Sequence, residues 1–193
     1  MVKPKQSQIK KAAHDFVTEW KNRGEEDKDY VEFWEDLLED VFGVPKARKE
    51  IEPQSKVKFE GTTKRIDIRI KTAKIVIEQK SNDVNLDLKQ KQSGKDANGN
   101  PLELTPMEQA IRYYNNLDKP DQGRYVVVSN FREFRIWDSY HKNSPVKTIA
   151  LEGRSRIFPW HSAVMTHGSR ASHRGSQSCI ILIMRMRIQE KSI

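Results

Sequence analysis

Two short isoleucine-rich runs, residues 64–70 and 75–80, constrain the fold of this chain more than any other segment. In the first run every second residue from position 66 onward is isoleucine, and only residues 71–74 separate it from the second run. Apolar residues that alternate with charged ones indicate a β-strand, and two such runs joined by a short polar break indicate a β-hairpin. The sequence therefore predicts an antiparallel hairpin over residues 64–80.

The register of this hairpin follows if residues 72–73 form its turn. Ile70 then pairs with Ile75, and Asp67 lies directly opposite Glu78. Successive side chains point to opposite faces of a strand, so both acids occupy one face. The other face is predicted to carry Ile66, Ile68, Ile70, Ile75 and Ile77.

Asp67 and Glu78 are close enough in this register to share a cation. Directly opposed residues have Cβ atoms about 4.5–5.5 Å apart, and like charges so placed repel each other. Mg²⁺ accepts carboxylate oxygens and keeps several waters, and Lys80, on the same face, would lie near a metal-bound water or a phosphate oxygen. An ordinary solvent-exposed hairpin, in which Arg65, Arg69 and Lys80 neutralise the acids, fits the spacing equally well.

Composition restricts the class of protein. The chain has 193 residues and a single cysteine, Cys179, which favours one domain without a disulfide framework or a thiolate zinc site. The N terminus has no apolar signal segment, and the longest apolar run, residues 180–184, is far shorter than the ~20 residues of a membrane helix. We expect a cytoplasmic protein with no membrane partner.

The positive charge is concentrated towards the C terminus. Residues 154–193 contain seven Lys or Arg and one acid, so they hold +6 of the net charge of +8. Such a segment is either a basic arm that binds DNA phosphates or the product of a shifted reading frame or degenerate gene end. Its Ser, Arg and His composition favours the second interpretation. We predict a domain over residues 1–152 and an atypical tail, residues 153–193, outside the fold.

Two amphipathic helices are predicted before the hairpin. Residues 8–22 and 29–42 each carry an apolar stripe with helical spacing. Most acids of the second helix fall on its far side and are expected to face solvent. Glu35 lies at the border of the stripe, where it could lean towards a functional site.

A third helix is predicted after the hairpin, over residues 105–117. Thr105 and Glu108 have the spacing of a capping box, with a proline at the first helical position. Gln109 and Tyr113, four residues apart, share one face of this helix. Two polar groups so placed form either a solvated rim or part of a site.

The remaining pattern predicts a mixed sheet. Strands are expected at residues 51–59, 124–129, 133–138 and 146–151, and a strand that follows a helix that follows a hairpin implies an α/β (α+β) fold with helices packed on the sheet. Residues 82–101 are polar and are predicted to form an irregular insert. Its lysines suit DNA phosphates, although a solvated loop explains them equally well: Lys89, Lys91 and Lys95.

The order of these elements and their polar residues resembles a known group of nucleases. Asp67, then Glu78-Gln79-Lys80, then Gln109-x-x-x-Tyr113 is similar to the PD-(D/E)xK nuclease superfamily, including the Gln-x-x-x-Tyr element of its RecB-like branch. The strings at residues 64–67, 78–81, 109–113 and 124–131 more closely resemble the N-terminal nuclease region of fused type IIG-like restriction-modification enzymes. The resemblance covers residues 7–152 and implies a restriction-endonuclease-like mixed sheet flanked by helices.

The resemblance also implies roles for the hairpin residues. Asp67, Glu78 and the main-chain carbonyl of Gln79 would bind Mg²⁺, for which Mn²⁺ can substitute. Lys80 would orient or help deprotonate the attacking water and stabilise negative charge at phosphorus. The proline that usually precedes the first acid is Ile66 here, and Asp67 itself is in place.

Three further residues would support this site. Gln109 and Tyr113 match the superfamily element and would hold the site in place or position DNA, and Glu35 is the candidate from the second helix. The three lysines of residues 82–101 would contact DNA phosphates.

The function implied is that of a Mg²⁺-dependent DNA endonuclease domain, the detached N-terminal part of a restriction-modification enzyme. Its partners would be double-stranded DNA and the adenine-specific methyltransferase and target-recognition domains that are normally fused downstream. The chain shows no Gly-rich cofactor loop or Asn-Pro-Pro-Tyr motif, so we expect no S-adenosylmethionine site in it. The alternative is a catalytically silent module that keeps a nuclease-like fold and serves as a DNA-binding or scaffold unit.

Overall fold

The computed structural model describes residues 6–59, 61–95, 97–143 and 145–151, so the predicted tail over residues 153–193 lies outside the described part of the chain. Eight strands are found in these residues: β1 (Ile51–Phe59), β2 (Thr62–Ile70), β3 (Ile75–Gln79), β4 (Gln90–Lys95), β5 (Pro101–Leu104), β6 (Tyr125–Ser129), β7 (Glu133–Asp138) and β8 (Lys147–Ala150). Six of them form one sheet in the order β1-β2-β3-β6-β7-β8. Strands β3 and β6 are parallel, and the other neighbours in this sheet are antiparallel.

Helices cover both faces of the sheet. On one face, α1 (Gln6–Trp20) and α2 (Glu26–Asp36), which continues as a π-helical turn over Leu37–Val41, pack on Ile68, Ile75 and Ile77. On the other face, α3 (Pro106–Asn115) packs on alternate residues of β3 and β6 through a second, smaller core. The predicted α/β class, a mixed sheet flanked by helices, is confirmed. No helix in the described residues is both long and apolar enough to span a bilayer.

Helix α2 begins three residues earlier than its apolar stripe predicts. Its first turn contains Glu26, Asp27 and Asp29, and negative charges at a helix N terminus are stabilised by the partial positive charge of the exposed N–H groups. The Asp29 carboxylate also accepts hydrogen bonds from the backbone N–H groups of Gly24 and Glu25, each at 3.0 Å. The earlier start brings Glu26 to the end of the helix that faces the hairpin.

The central hairpin has the predicted register over residues 68–70 and 75–77, whereas the ladder ends before the predicted Asp67–Glu78 pair. Ile70 pairs with Ile75 and Ile68 with Ile77, on either side of a turn over residues 71–74. The prediction that five isoleucines share one core is wrong for Ile66, which belongs to the smaller core beneath α3. Ile66 and Ile68 face different cores because the pairing of β1 with β2 is irregular between them. There Gln54, opposite Asp67, has a φ of 53°, a left-handed conformation that bends the strand.

The polar insert after β3 contains a regular hairpin, which corrects the prediction of an irregular segment over residues 82–101. Strands β4 and β5 form a separate two-stranded antiparallel sheet in which Lys91 lies opposite Glu103. The Lys64 ammonium donates a 2.6 Å hydrogen bond to the Ser93 hydroxyl and so joins β4 to β2. Backbone hydrogen bonds rather than an apolar face form this hairpin, so hydrophobic periodicity does not detect it.

Gly123 provides a test of the packing between the turn of the central hairpin and the segment that enters β6. A Cβ atom at Gly123 would lie 2.1 Å from the carbonyl oxygen of Lys74, and a backbone atom cannot move away as a flexible side chain can. We expect Gly123→Ala to lower the free energy of unfolding by about 1–3 kcal/mol, the cost typical of overpacking. Urea unfolding measures this, and Lys119→Ala, at an exposed position nearby, should change it little; equal stability of the two variants would contradict the packing described.

A second test concerns the bidentate ion pair that joins β6 to β7. Arg124 donates from Nε and Nη2 to the two carboxylate oxygens of Asp138, at 2.9 and 2.7 Å. Burial raises the pKa of Asp138, but hydrogen bonds from Arg124, His141 and the Tyr140 backbone outweigh burial and lower it to about 2. Because the folded-state pKa lies below the unfolded value, this stabilisation is present above the unfolded-state pKa of about 4 and is lost as the pH falls towards 2.

We therefore expect Asp138→Asn to cost about 1.5–3 kcal/mol at neutral pH and to be nearly neutral at the acid end of this range. Urea unfolding at several pH values measures the difference. A constant penalty from neutral to acid pH would show that the charge of Asp138 is not what stabilises the β6–β7 pair.

Candidate active site

The predicted catalytic residues meet at the edge of the sheet where the parallel strands β3 and β6 end. Glu78 and Gln79 are the last two residues of β3, and Lys80 follows them. The Lys80 backbone N–H donates to the carbonyl oxygen of Ser129 at 2.8 Å, which extends the contact between the two strands by one residue. Ligand sites of open α/β sheets lie outside the carboxyl ends of such strands.

Asp67 is positioned by the backbone of the neighbouring strand. At this point β2 and β3 part, and the Asp67 carboxylate accepts a 2.9 Å hydrogen bond from the backbone N–H of Gln79. Burial raises the pKa of Asp67, and hydrogen bonds from Gln79 and from the Gln54 side chain, together with the Lys80 charge, offset burial only in part. The acid is thus held firmly next to β3 at some electrostatic cost.

Glu78 and Lys80 form a buried pair on the face that α3 covers. The Lys80 ammonium lies 2.6 Å from Oε1 of Glu78, whose residue is only 2% exposed. Burial and, next, the charge of Asp67 raise the pKa of Glu78 to about 8, against the opposing effect of Lys80. Burial lowers the pKa of Lys80, but the acids around it, Glu78 first, outweigh burial and raise it. The pair therefore holds its protons more firmly than separate groups would.

Gln79 faces away from this pair. Its side-chain Oε1 accepts a 2.9 Å hydrogen bond from the indole N–H of Trp34, and its Nε2 donates to the carbonyl oxygen of Lys80 at 3.0 Å. The side chain is fully buried on the α2 side of the sheet. The main-chain N–H of Gln79 contacts the Asp67 carboxylate, and the metal-binding role of its carbonyl stays a prediction.

Helix α3 brings Gln109 and Tyr113 to the same place. A capping box fixes the start of the helix: the Thr105 hydroxyl accepts from the backbone N–H of Glu108, and the Glu108 carboxylate accepts from that of Thr105. One turn later, Nε2 of Gln109 donates to Oε1 of Glu78 at 2.6 Å and lies 3.5 Å from the Tyr113 hydroxyl. Of the three predicted supporting residues, the structure thus joins Gln109 to Glu78 directly and Tyr113 to Glu78 through Gln109.

Glu26 is a site residue that the sequence pattern does not reveal. Its carboxylate lies 3.8 Å from the Lys80 ammonium, and its backbone N–H donates to the Ser81 hydroxyl at 3.2 Å. Burial raises the pKa of Glu26, with Lys80 acting against it. The apolar stripe of α2 begins only at Tyr30, so periodicity places Glu26 outside the helix; the acid-rich string of residues 25–29 was the available signal for a helix start.

Glu35, the supporting residue predicted on α2, is not brought to the site. It lies nine residues after Glu26, about 13 Å further along the helix, and its carboxylate is 3.7 Å from Nε of Arg48. Glu35 lies at the border of the apolar stripe of α2, and this part of the helix faces the segment that precedes β1, not the candidate site.

The lysines predicted to contact DNA lie on the separate hairpin. Lys91 and Lys95 belong to β4, Lys89 directly precedes it, and all three are exposed. Glu103 lies opposite Lys91 and reduces the positive potential there. Their contact with DNA stays a prediction.

The donor set at this edge fits a hydrated Mg²⁺ ion. Within the described residues no three His, Cys, Asp or Glu side chains form a metal-binding group, so a cation here would bind two carboxylates and retain waters, as Mg²⁺ commonly does. The buried Oε1 atom of Gln109 has no hydrogen-bond partner among the residues that the structure describes, and an unpaired buried acceptor is costly. A metal-bound water would satisfy it.

The fold is thus an α/β domain whose mixed sheet has helices on both faces. At the ends of its parallel strands, buried acids and an ammonium group form a carboxylate–lysine site. The chain belongs to the MmeI N-terminal domain family, whose model matches residues 11–161. Comparisons with curated proteins and with solved structures gave no match. The family supports the interpretation of this chain as the N-terminal domain of a type IIG restriction-modification enzyme; membership of the PD-(D/E)xK superfamily stays a prediction.

The electrostatic cost of the site can be measured without metal. Asp67→Asn keeps an oxygen that can accept from the Gln79 N–H but removes a buried charge from beside Glu78. Because the folded state raises the pKa of Asp67, the ionised form opposes folding at neutral pH. We expect the variant to be more stable than the wild type by up to about 2 kcal/mol, measured by urea unfolding in a chelator.

Asp138→Asn is the matched control, because it makes the same chemical change at an acid whose pKa is lowered. The two substitutions should shift the free energy of unfolding in opposite directions. Destabilisation by Asp67→Asn comparable to that of Asp138→Asn would contradict the description of a site held together against repulsion.

Proposed function

We propose that this domain hydrolyses phosphodiester bonds of double-stranded DNA with the help of Mg²⁺. The observation that supports the proposal best is the convergence of Asp67 and the 2.6 Å Glu78–Lys80 pair at one end of β3. Two acids suit a divalent cation and an ammonium suits a phosphate, so the arrangement can hold a hydrated cation against a phosphodiester. The MmeI N-terminal domain family is consistent with a part in a restriction-modification enzyme.

The carboxylates of Asp67 and Glu78, with the main-chain carbonyl of Gln79, would hold the cation. A bound Mg²⁺ lowers the pKa of water and polarises the phosphoryl oxygen. Glu78 would have to be ionised to hold the cation, since carboxylate ligands must be deprotonated. The hydrolysis forms one P–O bond to the water oxygen and breaks one ester P–O bond, whose oxygen leaves as a hydroxyl.

Lys80 acts in this scheme as a fixed positive charge. Its pKa is raised by the surrounding acids, so the amine stays protonated and does not accept a proton from water in this state. Its N–H groups orient the attacking water and stabilise the charge that develops on the phosphate oxygens. Glu26, 3.8 Å away, restrains the ammonium from the α2 side.

Gln109 and Tyr113 position Glu78. The amide N–H bond to Oε1 of Glu78 fixes the carboxylate, and the unpaired Oε1 of Gln109 is free to accept a hydrogen from water. Tyr113 is half-buried and its pKa is raised by burial and by the charge of Glu78, so it remains a neutral phenol that can donate to a neighbouring oxygen.

DNA nicking in the presence of Mg²⁺ or Mn²⁺ tests the chemistry. We expect Lys80→Ala to lower the nicking rate by about 10²-fold or more, the loss typical of removing one stabilising group from a transition state. Lys119→Ala removes an exposed lysine elsewhere and should leave the rate unchanged. Metal-dependent nicking that survives in Lys80→Ala would reject this active site.

A catalytically silent DNA-binding or scaffold module is the second candidate, and the closed Glu78–Lys80 pair favours it. Two groups 2.6 Å apart in a nearly dry environment satisfy each other without a cation. Calorimetry with Mn²⁺ separates the candidates: the nuclease requires uptake that Asp67→Asn weakens, whereas the silent module takes up none.

Double-stranded DNA and downstream methyltransferase and target-recognition domains are the partners that we infer from the family. Without those domains the nuclease has no means of choosing a target and lacks the phosphate contacts that they would add. We therefore expect the chain alone to bind DNA weakly and to cut it slowly.

A further inference from the structure

Beyond Asp67, strands β1 and β2 continue together as a two-stranded arm. Strand β3 pairs with β2 only from Ile68 to Ile70, whereas β1 pairs with β2 as far as Phe59 and Thr62. The part of β2 that precedes Asp67 spans five residues, or about 16 Å at the usual rise per residue. The arm, residues 55–59 and 62–66, therefore projects past the edge of the sheet where the candidate active site lies.

The two faces of this arm differ sharply. Val57 and Ile66 are buried in the core beneath α3, and the ring of Phe59 packs edge-on against Tyr113 with centroids 6.3 Å apart. The register places Lys56 opposite Arg65 and Lys58 opposite Thr63 on the other face. These four side chains are exposed, so one side of the arm is fixed by packing and the other is open and basic.

The positive charge on the open face is uncompensated. Lys56, Lys58 and Arg65 form no ion pair with any described residue. Lys56 and Arg65 oppose each other directly across the strands, where like charges are destabilising. An anion between the strands would relieve this repulsion.

The arm is also coupled to the active site. Arg65 lies two residues before Asp67 on β2, and Lys56 lies two residues after Gln54 on β1. Gln54 and Asp67 are themselves joined by a side-chain hydrogen bond. Residues two apart on a strand are separated by about 6–7 Å, so an anion held by Lys56 and Arg65 lies close to Asp67, whereas Glu78 lies on the face that α3 covers.

We propose that the basic face of the β1–β2 arm, Lys56, Lys58 and Arg65, binds the phosphate backbone of duplex DNA beside the bond that is to be cut. The proposal rests on the proposed function for the identity of the polyanion. Phosphate contacts fix the position of a duplex without reading its sequence. The arm thus places a strand beside Asp67, at the end of the sheet where the candidate active site lies.

Binding of a labelled duplex in a chelator tests the arm apart from any cleavage. The arm variant carries Lys56→Gln, Lys58→Gln and Arg65→Gln, and the control variant carries Lys49→Gln, Lys71→Gln and Lys119→Gln. The control removes the same charge from exposed positions around the opposite end of the hairpin. Fluorescence anisotropy at several salt concentrations gives the affinity and its salt dependence for each.

We expect the arm variant to bind about 10-fold or more weakly at moderate salt. Its slope of log affinity against log salt should fall by up to about 2–3, since each phosphate that a cation neutralises adds about 0.9 to that slope. The control should change both quantities much less. A variant with Lys56→Arg and Lys58→Arg, which keeps the charge, should bind like the wild type. Equal losses of affinity in the arm and control variants, or no duplex binding by the wild type, would overturn the proposal.

Lysine acetylation of the wild type gives an independent reading that needs no variant. Duplex DNA should protect Lys56 and Lys58 but not Lys71, as seen by mass spectrometry; equal protection of the three would overturn the proposal. If only the proposed nuclease activity is wrong, the result is different: no nicking occurs, but the arm variant still loses duplex binding.

Discussion

Burial of the Glu78 carboxylate is the interaction on which the rest of the site depends. A charge placed at 2% exposure is unfavourable by several kcal/mol unless it is paired and hydrogen-bonded. Lys80 supplies the charge partner and Gln109 supplies a neutral donor, both to the same carboxylate oxygen. The third neighbour, Asp67, repels it. The protein therefore satisfies Glu78 only in part, and a divalent cation would complete the balance of charge.

Strand β3 makes this burial possible because helices cover both of its faces. All five of its residues are buried; Ile75 and Ile77 pack towards α1 and α2, whereas Val76 and Glu78 face α3. A strand with a parallel neighbour is usually covered on both sides. The site at its end is therefore partly shielded from water, and electrostatic interactions there are stronger than on an open surface.

The site is assembled from segments that are far apart in the chain. Glu26 comes from the start of α2, Gln54 from the bend of β1, and Gln109 from α3, and each contacts a residue of the central hairpin. Rigid elements hold every one of these groups. A change in any of the three segments should therefore reach the hairpin acids through a single hydrogen bond or ion pair.

Local pattern alone determined the central hairpin, its register, the capping box of α3 and the common face of Gln109 and Tyr113, because alternation, capping and helical spacing depend on neighbours along the chain. The meeting of the hairpin acids with α3 followed only from the resemblance to a family. Tertiary structure decided the rest: Glu26 enters the candidate site and Glu35 does not, Ile66 joins the second core, and the basic arm extends past the end of the sheet where the candidate site lies. Those outcomes depend on where a helix starts, how a strand bends and which elements pack together, and such long-range contacts leave no periodic signal in the sequence.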